Sequence, residues 1–456
     1  MFSAEVLKRF DLNGPRYTSY PTADRFTPSF RAEAYGAALS GMASRPASLY
    51  VHVPFCRSLC YYCACNKIVS KSATVADEYL AVLAAEMALV SGAASKSKPR
   101  HPVVQLAFGG GTPNFLSVTQ LSRVMRDLGE HFDLLPGREQ GIELDPRFLD
   151  DAYVSALPGM GFNRVSYGVQ DFDERVQTLI HRFQSFDQTA QAVKAARDVG
   201  INSISFDLVY GLPIQSRETF AATLERVLSL EPDRLALFNY AHIPERFKAQ
   251  RRIPTETLPS IEQRTDLFLY ATERLVDAGY LTIGLDHFAK PGDPLADAYQ
   301  DGTLRRNFQG YSTHQSTDLI GLGVSAISNL NGVFAQNSPQ IDVYRERITQ
   351  GQFATVRGVT LSRDDEIRSA VIEAIMCNGG VDWAVIGERF NIDPAEYFDA
   401  AREPLERFAE VGIVTLNERR LQVTAQGKLL LRAVAMVFDA YKNLKREQVI
   451  TFSRIA

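Results

Sequence analysis

Cys56, Cys60, Cys63 and Cys65 fall within a single ten-residue stretch, while Cys377 stands apart. A secreted disulfide framework would spread its cysteines, so this crowding points to metal or redox chemistry in a reducing compartment. Cys56, Cys60 and Cys63 form C-x3-C-x2-C, which puts three thiolates on one short loop able to wrap an iron–sulfur cubane. A [4Fe–4S] cluster normally takes four cysteine ligands. With three, one iron is left open to a small molecule, by the logic that leaves a position open on a catalytic zinc. The competing reading is a structural zinc site completed by Cys65 or a histidine, although zinc sites usually pair two widely separated ligand couples. A glycine run, Gly109 to Pro113, by itself most simply marks a tight turn, although glycines let a backbone approach a ligand closely and their N–H groups can bind a carboxylate.

Parallel-sheet units are predicted to position these residues. Between 48 and 290 short apolar runs alternate with amphipathic helical stretches. Strands are expected at 48–53, 103–108, 141–144, 164–169, 204–210 and 234–240, with 282–288 a candidate seventh. Helices are expected over 76–94, 118–132, 150–157, 187–199, 217–230 and 261–278. The unusual polar residues follow the strands: the cysteines after the first, GGGTP after the second, Glu143 and Asp145 at the third, Gln170 and Asp171 at the fourth, Asp207 late in the fifth, Asn239 and His242 at the sixth. Active sites of β/α barrels are built at the C-terminal ends of the strands. The fold class is therefore α/β, a partial (β/α)6 TIM-like barrel over 46–335, with an N-terminal arm over 1–45 and a mostly helical C-terminal domain over 336–456. In that last domain Ser362 is an expected N-cap, 414–424 a hairpin and 429–441 a final helix.

A chain of 456 residues with 45% hydrophobic and 22% charged residues can bury a large core. Lys+Arg 49 against Asp+Glu 53 leaves no basic excess for a nucleic-acid partner. No apolar run reaches the ~18 to 20 residues of a membrane span, and the N-terminal sequence lacks a signal-peptide pattern. A cytoplasmic, membrane-free protein is expected. The absence of a long heptad repeat suggests a monomer.

The three-cysteine spacing resembles that of the radical S-adenosylmethionine (SAM) enzymes. YVHVPFCRSLCYYCACNK, FGGGTPNFL, GVQDF, DLVYGLP, FNYAHIP, NFQGY and GVSAIS follow in order, preceded by GPRYTSYPT. Together they are similar to the oxygen-independent coproporphyrinogen III oxidase family over essentially the whole chain. The resemblance implies a radical SAM barrel in which Cys56, Cys60 and Cys63 hold a [4Fe–4S] cluster and the open iron chelates SAM, yielding a 5′-deoxyadenosyl radical. It implies two SAM molecules as cofactor. The first would meet Tyr50, Gly110, Glu143 and Ile327; the second would meet Tyr62, Gly111, Thr112, Gln170, Arg182, Asp207 and Ala241. The match at position 62 is usually phenylalanine in the family, and tyrosine keeps the ring. Cys65 would be a non-ligating catalytic thiol. His52 is read as a hydrogen-bonding group near the cluster, against the simpler reading of a packed core histidine, and Cys377 as a small apolar core residue.

By the same resemblance the substrate is coproporphyrinogen III, whose ring A and B propionates become vinyl groups in porphyrin and haem biosynthesis, with a separate electron donor and acceptor. A tetracarboxylate needs cationic partners, and Arg16, Arg25, Arg305 and Arg306 are candidates. The sequence departs from the family wording after Tyr311, where His314 is unexpected. Three alternatives compete with this reading: a haem-transfer protein on the same core, a radical SAM methyltransferase or haem-opening enzyme, and a zinc-structured binding protein. Retention of Cys65 and of the Gly14 to Thr22 arm argues against the first. The arm and the full C-terminal domain argue against the second.

Overall fold

A computed structural model describes residues 14–42, 45–94, 100–314, 317–330 and 332–442. The chain forms two compact units, one of Phe26–Pro259 with Ser316–Thr360, the other of Met1–Arg25, Ser260–Gln315 and Leu361–Ala456.

The first unit holds six parallel strands, β1 (Ala47–Val53), β2 (Pro102–Gly110), β3 (Asp133–Leu144), β4 (Arg164–Gln170), β5 (Ser203–Tyr210) and β6 (Arg234–Asn239), hydrogen-bonded in chain order. Helices between them cover the sheet, among them α2 (Thr74–Ala94), which follows α1 (Ala32–Ser40), then α3 (Val118–His131), α4 (Asp151–Ala156), α5 (Glu174–Ile180), α6 (Phe186–Asp198) and α7 (Arg217–Ser229). Their starts are locally encoded. Ser117, Ser185 and Ser216 each close a capping box, with Gln120, Gln188 and Thr219 three residues on. β1 and β5 are buried almost throughout, which is why they read as continuous apolar runs rather than alternating ones.

Register decides what the sheet presents. His52 lies opposite Gly109, Phe108 opposite Ile142, Glu143 opposite Ser166, Gly168 opposite Asp207 and Tyr210 opposite Asn239. The chemically distinctive residues are thereby gathered at the C-terminal end of one sheet, as expected of a β/α barrel.

The boundaries fall differently from the sequence divisions at 45 and 335. β1 has a second parallel neighbour, β7 (Asp318–Leu322), from which β8 (Ile327–Leu330), β9 (Val333–Asn337) and β10 (Thr355–Thr360) continue antiparallel. These strands are short and carry glycine, serine and asparagine, so no apolar run announces them. Residues 26–42 also pack on this unit. Thr27 bridges Gly358, and Tyr35, buried in α1, hydrogen-bonds Ser328 at 3.1 Å.

In the second unit the Tyr17 and Tyr20 rings of the arm join the core of helix Arg363–Asn378, with Ile367, Val371, Ile375 and Phe438. Tyr17 donates to Asp439 at 2.9 Å. Two expectations are corrected here. Residues 282–288 form an antiparallel pair, Leu281–Ile283 with His287–Ala289, because Gly284 adopts φ +56 and reverses the chain. The helix expected over 429–441 is a 3-10 turn, Gln426–Leu430, followed by Leu431–Met436. The amides of Val437 and Phe438 bond three residues back, and Asp439 is engaged by Tyr17 and the Tyr441 amide, so the helix tightens and stops. The 414–424 hairpin and the Ser362 cap are present as expected. Among the described residues no helix is long and apolar enough to cross a membrane.

Candidate active site

The cysteine loop leaves β1 at Val53 and is clasped at its base. Phe55–Cys56 pairs with Ile68–Val69, the Ile68 amide donating to Pro54 O at 2.7 Å and the Ser70 amide to Cys56 O at 3.0 Å. Its tip is tied to the β4–α5 side. The Tyr61 amide donates to Ile180 O at 2.9 Å, His181 Nδ1 to Leu59 O at 2.8 Å, and the Tyr61 and His181 rings stack at 4.9 Å. Cys60 is buried, Cys56 and Cys63 half-buried, Cys65 exposed. Burial pushes the Cys56 thiol up to about 12. Hydrogen bonding from the Cys65 thiol holds the Cys63 thiol below its ordinary value against the opposing effect of burial, with help from Lys67, whose ammonium also donates to Cys63 O at 2.9 Å.

His52 stands beneath this loop. Its Nε2 donates to Asn66 O at 3.0 Å, its Nδ1 meets the Tyr50 hydroxyl at 3.2 Å, and its carbonyl accepts from Tyr79 at 2.6 Å. Burial lowers its pKa to about 4, so the ring is neutral at physiological pH. It is a neutral prop for the loop that does not line the cavity described below.

The glycine run does something other than expected. The Gly111 amide donates to Val53 O at 2.8 Å, the Thr112 amide to Phe55 O at 2.9 Å, and the Gly110 amide to the Glu143 carboxylate. These N–H groups are thus engaged within the chain and not presented to a carboxylate ligand. Close approach is what the glycines supply: a Cβ on Gly111 would stand 2.6 Å from Phe55 O, and one on Gly109 2.7 Å from Glu143 Oε2. Gly110 sits at φ +121, open only to glycine without strain.

Opposite the loop the strand ends supply charge. Glu143 is pushed up to about 7 by burial and by Asp207, against the pull of the Gly110 amide. Asp207 is raised to about 6 by burial, with Arg164 and Arg182 opposing. A register shift between Gly168 and Gln170 bends β4, and Gln170 is held at φ +67, an outlier of the kind that aims side chains at functional sites. Arg182 donates to Gly168 O at 2.6 Å, pairs with Asp145 at 3.4 Å and reaches Cys60 Sγ at 3.7 Å, leaving a buried Nε without a protein partner. Arg147 pairs with Asp145 at 2.6 Å and meets the same sulfur at 3.6 Å.

These residues enclose a cavity of about 390 Å³. Its lining includes Cys56, Cys60, Cys63 and Cys65 with Tyr62, Gly110, Gly111, Thr112, Glu143, Gln170, Arg182, Asp207 and Ala241. Tyr50 and Ile327 lie on its flank instead. Tyr50 pairs with Gly321 across β1 and β7, and Gly321 packs so tightly on Ile327 that a Cβ there would come 2.5 Å from Ile327 O. Asp145, expected at the end of the third strand, lines the cavity, and so do Arg147 and Lys67, which the sequence does not mark as site residues, although the DPR triplet following β3 carries two charges. The four candidate substrate arginines belong to the other unit. There Arg16 pairs with Asp286, Arg25 with Asp24 and the Tyr441 carbonyl, Arg305 with Glu373 at 3.6 Å, and Arg306 lies over the Tyr311 ring at 4.3 Å. Cys377 is fully buried in an apolar cluster with Leu295 and Leu304.

The donor set fits an iron–sulfur cluster. Cys56, Cys60 and Cys63 line one cavity, and Arg147 and Arg182 stand against the Cys60 sulfur, where they favour thiolate. Fold and site together define a radical SAM protein: the family model for the radical SAM superfamily matches residues 50–227, and that for the HemN C-terminal domain matches 361–430. The chain is 46% identical over 459 residues to the oxygen-independent coproporphyrinogen III oxidase of Pseudomonas aeruginosa, covering 100% of this chain and 98% of the relative. It is 44% identical to that of Escherichia coli over 450 residues, covering 99% and 97%. A solved structure described as coproporphyrinogen III oxidase (HemN) from Escherichia coli, a radical SAM enzyme, superposes with a TM-score of 0.91 at 42% identity, covering 97% and 99% of the two chains. The chain belongs to the oxygen-independent coproporphyrinogen III oxidase family.

Proposed function

We propose that this protein oxidatively decarboxylates the ring A and B propionates of coproporphyrinogen III to vinyl groups, forming protoporphyrinogen IX and CO2 without oxygen. The observation that carries the reading is the three-thiol loop, clasped over a strand-end cavity, in a chain similar to these oxidases from end to end. Cys56, Cys60 and Cys63 would hold the cluster. When bound, cluster and SAM supply an electron and a 5′-deoxyadenosyl radical that can take hydrogen from a propionate β-carbon. The chain's own part is to bind, orient and exclude water. No side-chain nucleophile is needed, and among the described residues that line the cavity there is no histidine to make a Ser/His/Asp arrangement.

Two SAM molecules are proposed. Gly110 and Glu143 on the cavity wall, with Tyr50 and Ile327 on its flank, would serve the first. Tyr62, Gly111, Thr112, Gln170, Arg182, Asp207 and Ala241 would serve the second, and all seven line the cavity. Carboxylates accept from an ammonium or from ribose hydroxyls, and a guanidinium clamps a carboxylate. The electrons need a donor and an acceptor of separate origin, and the unpaired cysteines suit the reducing cytoplasm.

Glu143 accepts such bonds well only when ionised. With its carboxyl pushed up to about 7, SAM affinity is expected to weaken as pH falls below that value, approaching about tenfold per pH unit, and to level off above it. Anaerobic calorimetric titration across the range checks this. Glu143→Gln should flatten the profile, and a flat wild-type profile would contradict the role.

Cys65→Ser is expected to keep full iron and sulfide content yet slow turnover by about 10- to 100-fold, as loss of an outer-shell partner does, because its thiol supports Cys63 from beside the cluster loop. Loss of iron from this variant would make Cys65 a ligand. The reading as a whole is tested by 5′-deoxyadenosine release from SAM under a low-potential reductant. Release should depend on coproporphyrinogen III, and release indifferent to that substrate would count against it.

A further inference from the structure

Arg147 has no part in the reaction as described so far, yet it is one of two guanidinium groups on a single cysteine sulfur. Its Nη2 lies 3.6 Å from Cys60 Sγ, and Arg182 Nη1 lies 3.7 Å from the same atom. Sulfur accepts weak hydrogen bonds at such distances, and a cation strengthens them. Both side chains are only 7% exposed, so water screens neither. Both are anchored by one carboxylate, Asp145, at 2.6 Å to Arg147 and 3.4 Å to Arg182. The triad therefore carries one net positive charge against Cys60. Among the described residues the Cys56 and Cys63 sulfurs have no comparable guanidinium pair, and the Lys67 ammonium is bonded to the Cys63 backbone carbonyl.

We propose that Arg147, acting with Arg182 and regulated by Asp145, raises the reduction potential of the cluster held by Cys56, Cys60 and Cys63. The proposal rests on that ligand assignment. One-electron reduction adds negative charge to a thiolate-ligated cluster, and cations or hydrogen bonds at the sulfurs favour the reduced form. Arg147 is thus a positioning and tuning residue that touches a ligand, while Arg182 is shared between the sulfur and the SAM cavity.

The test is a redox titration of the anaerobically reconstituted full-length protein, with dithionite, low-potential viologen mediators and electron paramagnetic resonance of the reduced cluster. Arg147→Met should lower the equilibrium constant for one-electron reduction about tenfold, which is about 59 mV more negative for a one-electron couple. Asp145→Asn removes the counter-charge and should move the potential the other way. Opposite shifts with iron and sulfide content unchanged support the inference. An unmoved potential in Arg147→Met, shifts of the same sign, or loss of the cluster from both variants would overturn it and leave the triad a structural brace. Failure of the ligand assignment reads differently, since wild-type protein would then give no [4Fe–4S] spectrum to titrate.

Discussion

Replacing Cys56 by serine is expected to abolish both the cluster and turnover. Cys56 is fixed by the short strand pair at the loop base, with its carbonyl held by the Ser70 amide and its side chain on the cavity wall, so the position is set by the fold before anything binds. Serine preserves that backbone and removes only the soft thiolate that iron–sulfur chemistry needs. Iron and sulfide should fall far below those of the wild type, and turnover by about 10⁴-fold or more, the scale of loss when one member of a group acting as a unit is deleted. The folded protein should otherwise persist, because the loop is clasped by backbone hydrogen bonds that serine keeps. A Cys56→Ser protein retaining a full cluster would show that the loop is not ligated as proposed.

The largest effect on stability is expected at Asp145. Its carboxylate stands between Arg147 and Arg182, with all three side chains at most 10% exposed. Burial alone would raise the Asp145 carboxyl, but Arg182 and Arg147 outweigh it and hold the group below the usual carboxylate range. Asp145→Ala leaves two buried guanidinium groups facing one another without a counter-charge. Breaking a buried pair this way costs about 3 to 5 kcal/mol, measurable by anaerobic urea denaturation near neutral pH. A depressed carboxyl pKa gives stability that is present above the unfolded-state value and lost as pH falls through the lower folded-state value. The gap between wild type and Asp145→Ala should therefore narrow on acidification. A cost below about 1 kcal/mol would place the triad among exposed ion pairs of little consequence.

How far the sequence reveals this site depends on whether a residue's partners lie near it in the chain. Strands β1 and β5 are legible because both faces are buried, and the Ser362 cap because its capping-box partner, Asp365, lies three residues on; β3 is legible only over its buried end, since its first part, from Asp133, is exposed or half-buried. The residues at the strand ends are legible because the parallel register brings them to one end. Arg147 is not legible, for the opposite reason. Its meaning comes from Asp145 beside it and from Cys60, 87 residues earlier, and no local pattern joins the three. The glycine run was visible, but not that its amides bond Val53, Phe55 and Glu143, since that depends on how β2 meets the cysteine loop and β3. The sequence likewise shows the polarity of His52 but not its partner, the Asn66 carbonyl. The 318–360 strands are not legible because they are short and interrupted by glycine, serine and asparagine; β7 is stabilised by pairing onto β1, and β8, β9 and β10 by pairing in turn onto the strand before.

Mass spectrometry of the tetrapyrrole after anaerobic turnover tests the proposed reaction itself. Reconstituted protein, SAM, a low-potential reductant, an electron acceptor and coproporphyrinogen III should yield a product that has lost two propionate carboxyl groups as CO2 and gained two vinyl groups, with 5′-deoxyadenosine formed alongside. An unchanged tetrapyrrole from protein whose cluster is intact, particularly protein that binds haem tightly, would contradict the account and favour haem transfer on the same fold.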